Sequence, residues 1–219
     1  MEFSTIFFDL DDTLYPKTSG LWGAIRERMG VFMVERLGLP ADEVPIIRKT
    51  YFETYGTTLR GLQIHYQVNS DDYLAYVHDL PLENYISADP DMETLISSLP
   101  QKKWIFTNAD SDHARRVLDL LGLSDCFLGI IDVRALGYFC KPQVDAYCRA
   151  LSLAGVATAA ECVLLDDSPR NLYPARQLGI TTILVGSLEP DPAAQYTINS
   201  PKELPLVMPE LWNHSPNPI

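Results

Sequence analysis

Two clusters of carboxylates carry most of the chemistry available to this chain of 219 residues. The first is Asp9-Leu10-Asp11-Asp12-Thr13. Three carboxylates so close in sequence repel one another, and that cost is tolerable where a divalent cation is bound. The second is Asp166-Asp167-Ser168-Pro169-Arg170-Asn171. Brought to one place, the two clusters make an oxygen-rich site of the kind Mg²⁺ prefers. Each also has a plainer reading. The first can be a polar turn. The second can be an N-cap, with Asp167 or Ser168 as cap and Pro169 in the first helical turn.

Two smaller signals lie between them. Thr107-Asn108 follows the apolar run Trp104-Ile105-Phe106. A hydroxyl and adjacent backbone N–H groups at a strand end can bind a phosphate oxygen. Lys141-Pro142 begins a helix-like stretch, where the ammonium can serve as a point charge for phosphate. Taken alone, these read as easily as a packed threonine and a surface lysine. The histidines His65, His78, His113 and His214 are scattered and read as surface or packing residues. None of Cys126, Cys140, Cys148 and Cys162 sits in a CxxC pair, which argues against zinc and for reduced thiols in a cytoplasm.

The elements that must position these groups can be read from periodicity. Residues 3–8 form a short apolar, β-prone run ending at Asp9, and similar runs recur at 103–107, 127–131, 162–165 and 181–185. Runs of this kind read as buried parallel strands. Helix-like stretches alternate with them at 111–121, 142–154 and 169–178, with Ser111 as a cap, Pro142 in a first turn, and Gly122, Gly155 and Gly179 as stops. The pattern predicts an α/β fold with a Rossmann-like parallel sheet. Residues 19–86 differ. They hold no convincing strand and read as four helices, at about 21–37, 42–55, 57–66 and 71–80. An insert after the first strand of such a sheet lies over the crevice where ligands bind. The expected organisation is a core of 1–18 and 87–219 with a small all-helical cap of 19–86. Residues 195–199 suggest an edge strand, 201–211 a short helix, and 214–219 a frayed end.

Composition limits the partners. Hydrophobic residues make up 47% and charged residues 21%, which suits a globular domain. A net charge of -12 repels polynucleotides and anionic membranes, so neither is an expected partner. No run reaches the ~18 apolar residues needed to span a bilayer. The acidic, lysine-free start does not read as a signal peptide, so a cytoplasmic location is expected.

Four motifs in the order DxDxT, [ST]N, KP and DDxxxN extend over nearly the whole chain. In this the sequence resembles the haloacid dehalogenase-like hydrolase superfamily. The resemblance implies a phosphatase acting on a small phosphate ester with Mg²⁺ as cofactor. It implies Asp9 as nucleophile and metal ligand, and Asp11 as general acid/base that also offers its carbonyl to the metal. Thr107 and Lys141 would hold the phosphoryl group. Asp167 would bind the metal directly, with Asp166 and Asn171 acting through water or behind it. An aspartate at position 11 points to phosphate esters, since the carbon–halogen and phosphonate branches lack it; a mutase remains open. The acid role calls for a raised pKa at Asp11, for which the setting beside Leu10 and Leu14 is the expected source.

A second resemblance rests on Tyr55-Gly56-Thr57-Thr58-Leu59-Arg60-Gly61-Leu62, with Leu14-Tyr15-Pro16 and Cys140-Lys141-Pro142. Together these look like the pyrimidine 5'-nucleotidase branch. This implies a nucleoside monophosphate such as UMP or CMP, with Tyr51, Tyr55, Thr58 and Arg60 as candidates to touch base or sugar, beside Asn108 as the substrate-binding candidate next to Thr107. Aromatic rings can stack on a base. The tyrosines can equally pack cap against core. Sugar phosphates, other phosphometabolites or a non-catalytic ligand-binding role are the alternatives.

Overall fold

The computed structural model describes residues 3–213. Six strands form one sheet: β1 (Thr5–Phe8), β2 (Lys102–Phe106), β3 (Gly129–Ile131), β4 (Cys162–Asp166), β5 (Thr181–Val185) and β6 (Tyr196–Ile198). Every neighbouring pair is parallel, in the order β3-β2-β1-β4-β5-β6. This is the doubly wound order, which opens a crevice at the carboxyl ends of the central strands. The register pairs Phe8 with Ile105 on one side and with Leu165 on the other. Asp9, Phe106 and Asp166 therefore share one level at that edge.

Alternate residues of the strands feed opposite faces. Ile6, Phe8, Ile105, Val163 and Leu165 belong to one apolar layer. Phe7, Phe106, Leu164 and Leu184 belong to the other. The helical segment before β2 comprises α1 (Leu21–Leu37), α2 (Val44–Tyr55), α3 (Thr58–Tyr66), α4 (Ser70–His78) and α5 (Pro90–Ser98). The first four share their own core around Phe32, Met33, Leu62, Tyr73 and Val77. Leu21 and Ile25, at the start of α1, instead join the sheet-side layer and seat these helices on the sheet. After β2 come α6 (Ser111–Leu121), α7 (Val144–Leu153), α8 (Pro169–Gln177) and α9 (Leu204–Val207).

Several local expectations are corrected. The cap of α6 is Asp110, not Ser111; its carboxylate accepts the N–H groups of Asp112 and His113. Helix α7 starts at Val144, and Pro142 lies before it across a cis bond from Lys141. The strand expected at 127–131 is shorter, because a 3₁₀ turn at Ser124–Cys126 runs into Phe127. Residues 90–98, assigned to no element from sequence, form α5 with Asp89 as its cap. Residues 201–211 hold two 3₁₀ turns flanking α9 rather than one helix, because prolines recur at 201, 205 and 209. The fraying expected at 214–219 lies outside the described residues. No helix among the described residues is long and apolar enough to cross a membrane.

Candidate active site

The strand ends deliver their carboxylates into one cleft of about 470 Å³, roofed by α1, α2, the start of α3 and α4. Asp9 continues β1, its N–H donating to the Leu165 carbonyl at 2.9 Å. Asp166 ends β4 and is fully buried. Oxygens of Asp9, Asp166 and Asp167 all lie within 4.8 Å of one another. Between two of them sits the Lys141 ammonium, 2.8 Å from Asp9 Oδ1 and 2.6 Å from Asp166 Oδ2. Asp167 is paired on its outer side with Lys17 at 3.0 Å.

Crowding sets the electrostatics. Burial pushes the Asp9 carboxyl well above the usual range; Lys141 opposes this, and Asp166 and Asp167 add to it. Asp167 is raised by burial and by Asp166. Asp12, held at φ 60° in the turn after β1, is pushed up to about 6 by burial, Asp167 and Asp11. Lys141 is raised despite its burial, because Asp166 and Asp9 hold its proton. The cluster thus gathers more negative charge than one buried ammonium cancels. Its donors are all oxygen, which fits a hard cation such as Mg²⁺ rather than a thiolate-loving metal.

The turn after β2 supports this lysine. Asn108 clamps it through both ends of its amide. Nδ2 donates to the Lys141 carbonyl at 3.0 Å, and Oδ1 accepts the Lys141 N–H at 2.8 Å. Asn108 thus spends its side chain on positioning Lys141. Thr107 is buried beside it, its hydroxyl accepting the Ala109 N–H at 3.0 Å. On β4's side, Asp166 Oδ1 accepts from Ser168 N–H at 2.9 Å and from Asn171 Nδ2 at 3.0 Å. Asn171 is therefore a direct partner of Asp166.

Asp11 stands apart from the cluster, on a wall that the sequence reading missed. Its Oδ1 accepts from the Tyr15 hydroxyl at 2.6 Å and meets His113 Nε2 at 2.9 Å. Burial raises the Asp11 carboxyl, but His113 and the Tyr15 hydrogen bond outweigh it, so the net direction is down. The raised pKa expected from Leu10 and Leu14 is corrected on this point. Behind His113 lies His78, their rings stacked at 4.1 Å, and His78 Nδ1 is 2.6 Å from Asp110 Oδ2. Burial and the neighbouring His113 lower the His78 pKa. Burial opposes but hydrogen bonds, led by that from His78, depress Asp110. Both directions are met by a neutral His78 that donates from Nδ1. His113 and His78, read as ordinary packing residues, form a chain from the helix cap Asp110 to Asp11. The available signal was His113, three residues into a helix that starts just beyond Thr107-Asn108.

The candidates on the helices between β1 and β2 divide. Thr58 lines the cleft. Tyr51 stacks on His65 at 5.0 Å, and Tyr55 reaches His65 Nε2 at 2.8 Å, so both tyrosines face α3 rather than the cleft. Arg60 turns to Gln63 at 3.4 Å. Thr57 and Leu59 also line the cleft, and much of the remaining Tyr55–Leu62 signature is packing. Thr57 caps α3. A side chain at Gly61 would run into the Tyr51 ring. Gly56, at φ 95°, leaves room for Cys140, whose Sγ a Cβ would approach to 2.7 Å. The Tyr55 carbonyl accepts from Cys140 Sγ and Gln143 Nε2, both at 3.4 Å. This segment bolts the helices to the Lys141 loop.

A doubly wound parallel sheet with a carboxylate-and-lysine cluster at its switch point places the chain among α/β folds that bind ligands at the carboxyl ends of their strands. A haloacid dehalogenase-like hydrolase family model matches residues 3–179, and the chain belongs to that family. It is 29% identical over 194 residues to phosphate metabolism protein 8 of Saccharomyces cerevisiae, a match covering 81% of this chain. The chain spans about 60% of the length of that relative. Among solved structures it is similar to a HAD phosphatase from Thermococcus onnurineus, with a TM-score of 0.63, 21% identity, and 93% and 97% of the two chains covered. The putative HAD-hydrolase YfnB from Bacillus subtilis, solved bound to magnesium, gives 0.61, 19%, 94% and 99%. The L-2-haloacid dehalogenase of Xanthobacter autotrophicus gives 0.58, 16%, 94% and 98%. These likenesses show the fold, which serves more than one chemistry.

Proposed function

We propose that this chain is a Mg²⁺-dependent phosphatase of small phosphate monoesters, with pyrimidine nucleoside 5'-monophosphates as its substrates and residues 19–86 as its cap. The observation that carries the reading is the Lys141 ammonium seated between Asp9 and Asp166, with Asp11 two residues on. A dehalogenase has no use for that second aspartate, and its hydrogen bonds to Tyr15 and His113 support a role in proton transfer.

Asp9, Asp166 and Asp167 would hold the metal, with the Asp11 carbonyl. Bound there, Mg²⁺ would screen the approach of an anionic phosphoryl group to a carboxylate. Asp9 attacks phosphorus, and the bond to the leaving ester oxygen breaks. Asp11 gives that oxygen a proton. Because Oδ1 already accepts from Tyr15 and His113, the proton travels on Oδ2. The phosphoryl charge beside Asp11 pushes its pKa back up for this step. Water then attacks the aspartyl-phosphate, Asp11 takes its proton, and Asp9 is released with inorganic phosphate. Lys141 and the Thr107 hydroxyl steady the charge on the transferring group. The nucleotide reading draws on the Tyr55–Leu62 resemblance and on a cleft of a size suited to a small metabolite.

The deciding experiment is phosphate release from UMP, CMP, sugar phosphates and an aryl phosphate, with Mg²⁺ and with EDTA. Turnover of UMP and CMP that EDTA abolishes is the expected result. No release from any nucleotide sinks the substrate assignment, and full activity in Asp9→Asn sinks the mechanism.

A further inference from the structure

Two buried polar atoms on the helical wall of the cleft have no partner among the described residues: Nε of Arg48 on α2 and the hydroxyl of Tyr73 on α4. Tyr73 is 1% exposed, and its ring is fixed edge-on against Phe32 at 5.1 Å. Burial, with Arg26 as a like-charged neighbour, lowers the Arg48 pKa. Lys49 on the same wall is drawn off towards Glu53 at 3.9 Å. Among the described residues no carboxylate pairs with Arg26 or Arg48, although the chain carries a net charge of -12. An unmet buried donor costs folding free energy, and an acceptor on a ligand in the cleft would remove that cost.

The chemistry of the two groups limits the ligand. Arginine only donates, and a tyrosine hydroxyl beside it is free to donate as well. Both ask for an acceptor oxygen. Trp22, Met29 and Phe52 line the same cleft and offer apolar surface to a flat ring. We propose that Arg48 and Tyr73 form the distal subsite, which takes a ring carbonyl oxygen of a pyrimidine at the end of the substrate remote from the phosphoryl group. The assignment rests on the nucleotide phosphatase reading and adds to it the residues that select the base.

The test compares kcat/KM for UMP with kcat/KM for phenyl phosphate, which carries no distal acceptor, in the Mg²⁺-loaded protein. Arg48→Met and Tyr73→Phe should each lower the ratio of the two about tenfold, chiefly by raising KM for UMP. Tyr73→Phe removes one oxygen and leaves no cavity, so it should melt at or above the wild-type temperature and keep the test clear of misfolding. A wild-type enzyme that hydrolyses UMP, with the ratio unchanged in both variants, overturns the subsite and leaves the function standing. A wild type that hydrolyses phenyl phosphate but neither UMP nor CMP overturns the nucleotide reading, and the pyrimidine assignment with it.

Discussion

Replacing Lys141 with methionine and Asp9 with asparagine should change stability in opposite directions. The Lys141 ammonium lies 2.8 Å from Asp9 and 2.6 Å from Asp166. At an effective dielectric of ~20, a contact that short carries on the order of 6 kcal/mol of attraction before desolvation is subtracted. Removing one partner of such a buried pair typically costs about 3–5 kcal/mol. At ~2–4 °C per kcal/mol for a chain of this size, Lys141→Met should melt on the order of 10 °C lower in EDTA. Asp9→Asn removes a carboxylate whose pKa burial and its acidic neighbours push up, a sign that its charge is unfavourable in the metal-free fold. That variant should melt at or above the wild type in EDTA. Both should lose at least ~10²-fold in phosphate release. Mg²⁺ should restore part of the lost stability of Lys141→Met, because it supplies positive charge to the same oxygens. Differential scanning calorimetry with and without Mg²⁺ reads all of this. Equal destabilisation by the two variants, or an unchanged melting temperature for Lys141→Met in EDTA, would refute the charge account.

Further predictions follow from the wall behind Asp11 and from the cap signature. His113→Ala should lower kcat about 10- to 100-fold with little change in KM, and His113→Gln, which keeps a donor, should recover part of it; steady-state kinetics on one phosphate ester decides. His78 titrates below its unfolded value of ~6.5, so the unfolded chain takes up its proton first and folding stability is lost as pH falls below that point. Asp110, depressed in the fold, adds a further loss below about pH 4. The fall in melting temperature between pH 7 and 5 should be shallower in His78→Gln. Gly61→Ala should destabilise by roughly 1–3 kcal/mol through collision with the Tyr51 ring, and Tyr51→Ala in the same chain should remove most of that strain, as measured by urea unfolding.

Much of the core was legible because short continuous apolar runs and stop glycines are local signals. β1, β2, β4 and β5 lie within a few residues of their predicted places, and so do α1 to α4. What failed was also local. Ser111 and Asp110 are both good caps, and only geometry chooses between them. Pro142 is as compatible with a helix start as with the turn it occupies. In the site, the clusters around Asp9 and Asp166 could be named because sequence neighbours stay neighbours at a strand end. The contact of His113 with Asp11 spans 102 residues, and neither residue carries a spacing that announces the other. The tyrosines misled for a related reason: an aromatic on a helix declares size and amphipathicity but not which neighbour it faces. Tyr51 and Tyr55 spend their rings on His65, while Tyr73, which was not singled out, reaches the cleft.

The contact of Gly56 with Cys140 and Lys141 divides the helical segment α1 to α4 into two territories with different freedom to change. Near Tyr55–Thr57 the helices touch the loop that carries the ammonium, so an altered side chain there displaces the reacting centre as well as the roof. Arg48 and Tyr73, on α2 and α4, make no described hydrogen bond to that loop. On the proposed assignment of Arg48 and Tyr73 to the base, a descendant lineage would acquire a new substrate by substitutions in the second territory with its chemistry intact, and would lose the chemistry first if it experimented in the other.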